Sequence, residues 1–281
     1  MQDRLARFST FKRARALLGF ALAGVVATTT ACDPDQSTRP NNTPTDSAYL
    51  TGRLDARHNA PTASVAPGLQ VMRIATEGRP FGLFVPANYD PSRQWPIVVM
   101  LHGVGGSGEG MALEFSELAN AAGLIIVAPN SYFTTWDLII SSTQTGLAQF
   151  GPDRDYIDDL LEWSFDHLAI DPARISIAGW DDGGIYSLWL GLKNGDLFTR
   201  VAAFSPCSNV PTTRTGTPRV FVSHSVNDQV FPIDDCSRNM VPRLESFGYT
   251  VDYIEYPTTT GNGHVMTPEV RAQAIEFLAR Q

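Results

Sequence analysis

The chain has 281 residues, of which 43% are apolar and 18% charged, and it carries a net charge of -8; this is enough apolar matter for one large domain and excludes disorder throughout. Its 21 basic against 29 acidic residues exclude a protein whose main partner is the phosphate backbone of a nucleic acid. Three cysteines, with no CxxC pair and no Cys/His cluster at zinc spacing, point neither to a disulfide-built scaffold nor to a structural metal, and no cofactor is expected.

In the first 32 positions Arg4, Arg7, Lys12, Arg13 and Arg15 face only Asp3, so the remainder carries 16 basic and 28 acidic residues. A basic stretch to residue 15, an apolar run from Ala16 to Ala27 and small residues ending in Ala31-Cys32 are the three parts of a secretory signal. The run is shorter than the roughly 20 residues that cross a bilayer, and it has no polar face to present as an amphipathic helix. Small residues directly before Cys32 resemble a bacterial lipobox, which implies diacylglycerol on Cys32 after cleavage, a membrane tether and a place in the bacterial cell envelope. Thr29 stands where such signals carry an aliphatic residue, so ordinary cleavage near Ala31 and a periplasmic or secreted product is the alternative. Residues 33–68 are rich in Pro, Thr, Ser and Asn and read as a tether. Thiols outside the cytoplasm tend to be oxidised, which makes Cys207 and Cys236 disulfide candidates; two buried, unconnected thiols are the alternative.

From residue 69 to the end a single domain is expected. Short β-branched runs alternate with longer amphipathic stretches, the pattern of a mostly parallel sheet with helices on both faces. The runs predict strands near 70–76, 81–86, 97–101, 124–128, 175–180, 201–205, 219–224 and 250–256. Helices fit 108–121, 153–169, 182–194, 235–247 and 268–280. The third helix starts at the end of a strand with no loop between, so in Gly179-Trp-Asp-Asp-Gly183 the chain must turn sharply, and the glycines relieve the crowding.

This turn has the layout of the G-x-S-x-G elbow, which lifts its central side chain above the sheet and leaves the next backbone N–H free for an oxyanion. Its central residue is Asp181. Leu101-His-Gly-Val-Gly-Gly, Thr135-Trp-Asp, the run Asp182-Gly-Gly to Asn194-Gly-Asp-Leu-Phe, Ser223-His-Ser-Val-Asn-Asp and Gly263-His264 follow in order. On these residues the chain from about Leu50 resembles the α/β-hydrolase superfamily. Within it, the chain is similar to the compact bacterial esterases of the phospholipase/carboxylesterase, feruloyl-esterase-like and polyhydroxybutyrate-depolymerase-like kinds. The resemblance implies an eight-stranded α/β-hydrolase fold without a large lid domain. It also implies a triad of Asp181, Asp228 and His264, in the chain order nucleophile, acid, base. Oxyanion donors would come from the turn His102-Gly103-Val104 and from Asp182 N–H. His58, His167 and His224 lack such a context and are expected to pack or to face solvent. Tyr132 and Trp136, on the segment 131–151 that should overhang the carboxyl edge of the sheet, and Trp180 beside the turn are pocket candidates for a small ester or an aryl or acyl ligand.

An aspartate in the elbow changes the chemistry. With a reference pKa of about 3.9 it is ionised at neutral pH without help from a base, yet it leaves more readily than the alkoxide it must expel, so an ester adduct tends to collapse backward. Haloalkane dehalogenases and epoxide hydrolases of this superfamily avoid the difficulty by attacking saturated carbon. They build their pockets from a helical lid after the sixth strand, however, and only 11 residues separate Pro206 from Pro218 here. Alternatively, two carboxylates hold His264 as an imidazolium and leave a ligand-binding pseudo-hydrolase. The expectation is an exported hydrolase of the carboxylic-ester type with Asp181 in the nucleophile position, with the pseudo-hydrolase as first alternative and attack at saturated carbon as the second.

Overall fold

The computed structural model describes residues 51–75 and 78–280; the secretory signal and Cys32 lie outside them. One sheet contains β1 (Gly68–Arg73), β2 (Pro80–Val85), β3 (Trp95–Leu101), β4 (Ile125–Pro129), β5 (Ile170–Trp180), β6 (Arg200–Phe204), β7 (Arg219–Ser225) and β8 (Val251–Tyr256). Their spatial order is β1-β2-β4-β3-β5-β6-β7-β8. β2 runs antiparallel to β1 and β4, and every pairing from β4 onward across the sheet is parallel. β3, β4 and β6 are buried along their whole length, as continuous apolar runs require when both faces of a sheet are covered.

The covering helices are α1 (Gly108–Ala122), α2 (Asp137–Thr145), α3 (Pro152–His167), α4 (Asp182–Lys193), α5 (Ser237–Ser246) and α6 (Pro268–Ala279). α1 and α6 press Met111, Phe115, Ala274 and Phe277 onto one face. On the other face, Leu160 and Leu161 of α3, Leu188 and Leu190 of α4, and Met240 and Leu244 of α5 join the larger core. No large lid domain stands between β6 and β7.

Two features differ from the sequence expectation. Helix α2 was not foreseen, because its Ile, Ser and Thr residues are weak helix formers. Two tertiary bonds hold it: the Asp153 carboxylate accepts the Asp137 N–H at 2.8 Å, and the Asp137 carboxylate accepts the Asp153 N–H at 2.7 Å. α2 and α3 thus cap each other's first turns. β5 also begins earlier than predicted, since Ile170 pairs with Trp95 ahead of a register shift.

The start of the described part of the Pro-rich segment packs against the domain, while most of the rest of it is exposed. Leu54 and Ala56 are buried, the Leu54 N–H donates to Asn194 Oδ1 at 2.9 Å, and the Ala56 N–H donates to Asp158 Oδ1 at 2.8 Å. Cys207 and Cys236 are joined in a disulfide, which ties the segment after β6 to the start of α5.

Candidate active site

β5 ends at Trp180 and α4 begins at Asp182, which leaves Asp181 as the whole junction, at φ 59 and ψ -124. A positive φ is costly for a residue with a side chain and persists only where surrounding structure enforces it. Here the Asp181 N–H donates to the Phe204 carbonyl at 2.9 Å while its own carbonyl accepts the Ile185 N–H at 3.1 Å. The turn closes because Gly183 lacks a side chain: a Cβ there would lie 2.4 Å from the His102 carbonyl oxygen and 2.5 Å from that of Leu101. The Asp181 carboxylate is thereby raised at the carboxyl edge of the sheet, where ligands of open α/β folds bind.

The structure brings Asp181, His264 and Asp228 together. His264 Nε2 lies 3.2 Å from Asp181 Oδ1, and its Nδ1 lies 2.7 Å from Asp228 Oδ2. Asp181 is 3%, Asp228 6% and His264 7% exposed, so these charges interact with little solvent screening. The two contacts are unequal. Nδ1 forms a well-directed hydrogen bond, whereas Nε2 is close to Oδ1 in distance but has no aligned hydrogen-bond partner among the described residues. Asp228 is fixed in turn by the Val230 and Phe231 N–H groups, both donating to Oδ1 at 2.9 Å. The Trp180 ring lies 5.1 Å from that of His264, and Phe231 meets His264 edge-on at 5.2 Å.

Burial opposes the imidazolium of His264, but the close carboxylate oxygens of Asp181 and Asp228 outweigh it and raise its pKa above the ordinary histidine value. Burial likewise pushes the Asp181 carboxyl up; His264 and the backbone N–H groups of Val104 and Asp182 more than offset this and hold it below the usual carboxylate range. The two shifts therefore favour an ionised Asp181 carboxylate beside a protonated His264. The Asp182 side chain points elsewhere. Its Oδ2 accepts the Thr135 hydroxyl at 2.6 Å, and burial raises its pKa.

Val104 N–H donates to Asp181 Oδ2 at 3.0 Å. His102 braces the same turn from behind. The Ser131 N–H donates to its Nε2 at 3.1 Å, which leaves the proton on Nδ1 to meet the Gly103 carbonyl at 2.7 Å. Burial keeps this ring neutral by lowering its pKa. Trp136 is fully buried beneath the turn, where its Nε1–H donates to the His102 carbonyl at 2.8 Å, so it supports the loop and offers no surface to a ligand. Tyr132 is exposed. With Val104, Phe133, Val226 and Val230 it supplies exposed large apolar side chains to the loops that rim the carboxyl edge of the sheet after β3, β4 and β7, the edge at which ligands of open α/β folds bind. Sequence reasoning missed His224, whose Nε2 lies 3.3 Å from Asp228 Oδ2. Its place four residues before the acid, at the end of a strand, was the available signal.

Several known proteins are similar to this chain. The Esterase family model matches residues 75–239, more than half of the chain. Feruloyl esterase C of Emericella nidulans is 28% identical over 184 residues, which cover 63% of this chain and 64% of that protein; the match thus spans less than two thirds of the relative's length. Among solved structures, a ferulic acid esterase from Anaeromyces mucronatus superposes with a TM-score of 0.55 at 17% identity, covering 81% of this chain and 97% of that one. A thermostable esterase does so with a TM-score of 0.55 at 22% identity, covering 75% of this chain and 60% of that one. At these identities the solved structures speak for the fold, and the family match supplies the rest: an α/β-hydrolase in architecture, the chain belongs to the Esterase family.

Proposed function

We propose that the protein is an exported carboxylic-ester hydrolase that takes a small ester whose aryl or acyl group lies on the apolar rim, with Asp181 in the nucleophile position and His264 and Asp228 as its partners. The observation that carries this reading is the carboxylate–imidazole–carboxylate row, 3.2 Å and then 2.7 Å, at the tip of a strained strand-to-helix turn. Similarity to feruloyl esterase C supports the ester class.

In this mechanism Asp181 Oδ1 adds to the ester carbonyl. The His264 imidazolium gives its Nε2 proton to the leaving oxygen as the C–O bond breaks, so an alcohol departs and an acyl–Asp181 anhydride remains. Neutral His264 then takes a proton from a water that attacks Asp181 Cγ. In that step the developing oxyanion is Oδ2, already on the Val104 N–H, where a preplaced donor is most effective. Collapse releases the acid, with one proton passing to solvent, and restores the Asp181 carboxylate beside the His264 imidazolium. Because a carboxylate leaves more readily than an alkoxide, turnover is expected for esters of phenols and not for esters of simple alcohols.

The same Val104 contact favours a second reading. A donor taken by Oδ2 is not open to the substrate carbonyl in the first step, and a pseudo-hydrolase of this design binds its ligand without cleaving it. Hydrolysis of 4-nitrophenyl acetate in oxygen-18 water separates the two readings. Label in the Asp181 peptide supports the first, and turnover without label excludes Asp181 as nucleophile. An absence of turnover together with a thermal midpoint raised by ferulate supports the second. Neither turnover nor a shift defeats both. Export is supported by the Cys207–Cys236 bridge, since disulfides persist in oxidising compartments. The lipid anchor on Cys32 belongs to the same proposal and is tested by the mass of the mature amino terminus.

A further inference from the structure

His224, the penultimate residue of β7, is fully buried. Two oxygens face its Nε2: the Phe231 carbonyl, which is hydrogen-bonded at 2.8 Å, and Asp228 Oδ2, close by at 3.3 Å. The carbonyl can only accept, so the proton sits on Nε2, where it also favours the nearby carboxylate oxygen. Nδ1 lies 2.7 Å from the Ser237 hydroxyl, which donates to it when the ring is neutral. Burial keeps the ring below the ordinary histidine range, with the Phe231 carbonyl and Asp228 offsetting only part of the effect. The tautomer is thus set from both sides, by Ser237 at the start of α5 and by the acid loop.

The same contacts close the turn that follows β7. Asp228 Oδ1 takes the Phe231 N–H at 2.9 Å, while the Phe231 carbonyl is held from the strand by His224. Oδ2 is shared between two imidazoles, His264 at 2.7 Å and His224 at 3.3 Å. Rotating the Asp228 carboxylate away from His264 would therefore break contacts on both of its oxygens. Phe231, fixed by the same bonds, sets its ring nearly perpendicular to that of His264 at 5.2 Å.

We infer that His224 is a positioning residue: through its hydrogen bond to the Phe231 carbonyl and its close contact with Asp228 Oδ2, it fixes the carboxylate against which His264 is oriented. Its effect on turnover rests on the proposed function, but its effect on His264 does not. Buried bonds of this kind matter mainly through geometry, and a displaced partner costs rate before it costs binding.

The test compares His224→Gln, whose amide retains a donor, with His224→Phe, which has none, each alone and combined with Asp181→Ser. Proton and nitrogen NMR of histidine-labelled protein reads the downfield Nδ1–H of His264 and the ring's titration. His224→Phe should lose that resonance and titrate at lower pH, and His224→Gln should keep both. With Asp181→Ser, His224→Phe should lower kcat by about tenfold or more while KM stays within roughly twofold. An unchanged resonance and titration in folded His224→Phe overturns the inference. If that variant does not fold, Ser237→Ala, which removes the hydroxyl from Nδ1, should weaken the same resonance, and an unaltered signal there is equally fatal. Because the NMR readout needs no turnover, proteins without activity that still show the expected resonance pattern defeat the ester-hydrolase reading and leave this inference standing.

Discussion

Asp181 Oδ2 accepts the backbone N–H of Val104 at 3.0 Å, so the donor that the family resemblance assigns to a substrate oxyanion is occupied by the protein's own carboxylate. The other oxygen of that carboxylate faces His264 at 3.2 Å. One side chain therefore joins the oxyanion turn after β3 to the histidine loop after β8, and both the charge state and the stability of the site depend on it.

Asp181→Asn removes one of the two charges that raise the His264 pKa, so the histidine should titrate at lower pH in the variant. The dependence of stability on pH follows from the directions of the two shifts. The raised His264 pKa stabilises the fold fully below the unfolded histidine value of about 6.5, and this contribution is lost as pH rises through the folded value. The depressed Asp181 pKa stabilises it above the unfolded aspartate value of about 3.9, and this is lost as pH falls through the folded value. Native protein should exceed Asp181→Asn in thermal midpoint most clearly between about pH 4 and 6.5, and the gap should narrow on either side. A difference independent of pH contradicts the ion row.

The Asp137–Asp153 pair carries the opposite sign. Burial, followed by the neighbouring Asp153 carboxylate, pushes the Asp137 carboxyl up to about 7. Between about pH 4 and 7 the folded state holds a proton that the unfolded chain has released, so this group makes stability fall as pH rises. Asp137→Asn keeps an oxygen to accept the Asp153 N–H and removes the charge. In urea titrations it should unfold later than native protein at about pH 8, with the advantage gone by about pH 4.5. A variant less stable at both values would show that the carboxylate is worth more than its desolvation.

The disulfide spans a sequence separation of 29. In the chain-entropy model a loop of this size contributes about 3 to 4 kcal/mol. Urea unfolding with and without reductant should differ by an amount of that order, and thiol titration of the unreduced, denatured protein should find no free thiol at either position. Equal stability in both conditions would contradict a bridge that restrains the unfolded chain.

Gly263 sits at φ +81, and a Cβ there would lie 2.1 Å from the Asn227 carbonyl oxygen. Gly263→Ala must push the His264 loop away from the Asp228 loop, because the obstacle is backbone and has no rotamer to change. A loss of about 1 to 3 kcal/mol is expected, accompanied by loss of the downfield His264 Nδ1–H signal. An alanine variant with native stability and an intact signal would show that the loops are not in contact.

The eight strands and the abrupt β5–α4 junction were readable because buried parallel strands leave uninterrupted apolar runs and a tight elbow needs glycines at fixed offsets. That Asp181, Asp228 and His264 converge was readable through order and flanking residues. What escaped depended on contacts distant in sequence. Helix α2 is held by Asp153, which lies beyond its own end. Trp136 is buried because its ring supports the His102 carbonyl. His224 shows its relation to Asp228 only after the turn has folded back toward β7. Periodicity and motif spacing report the chain's own neighbourhood and carry little information on which distant group will satisfy a buried donor.

Asp181→Ser is the most direct test of the central claim, that a site otherwise built for ester hydrolysis has its oxyanion donor filled by the aspartate. A serine frees the Val104 N–H and restores a nucleophile that His264 can deprotonate. Since a single oxyanion donor is worth roughly 100-fold or more in rate, kcat/KM for 4-nitrophenyl acetate should rise by about that factor over the native protein. Equal or lower activity in a folded Asp181→Ser protein whose His264 keeps its Nδ1–H signal would contradict the account.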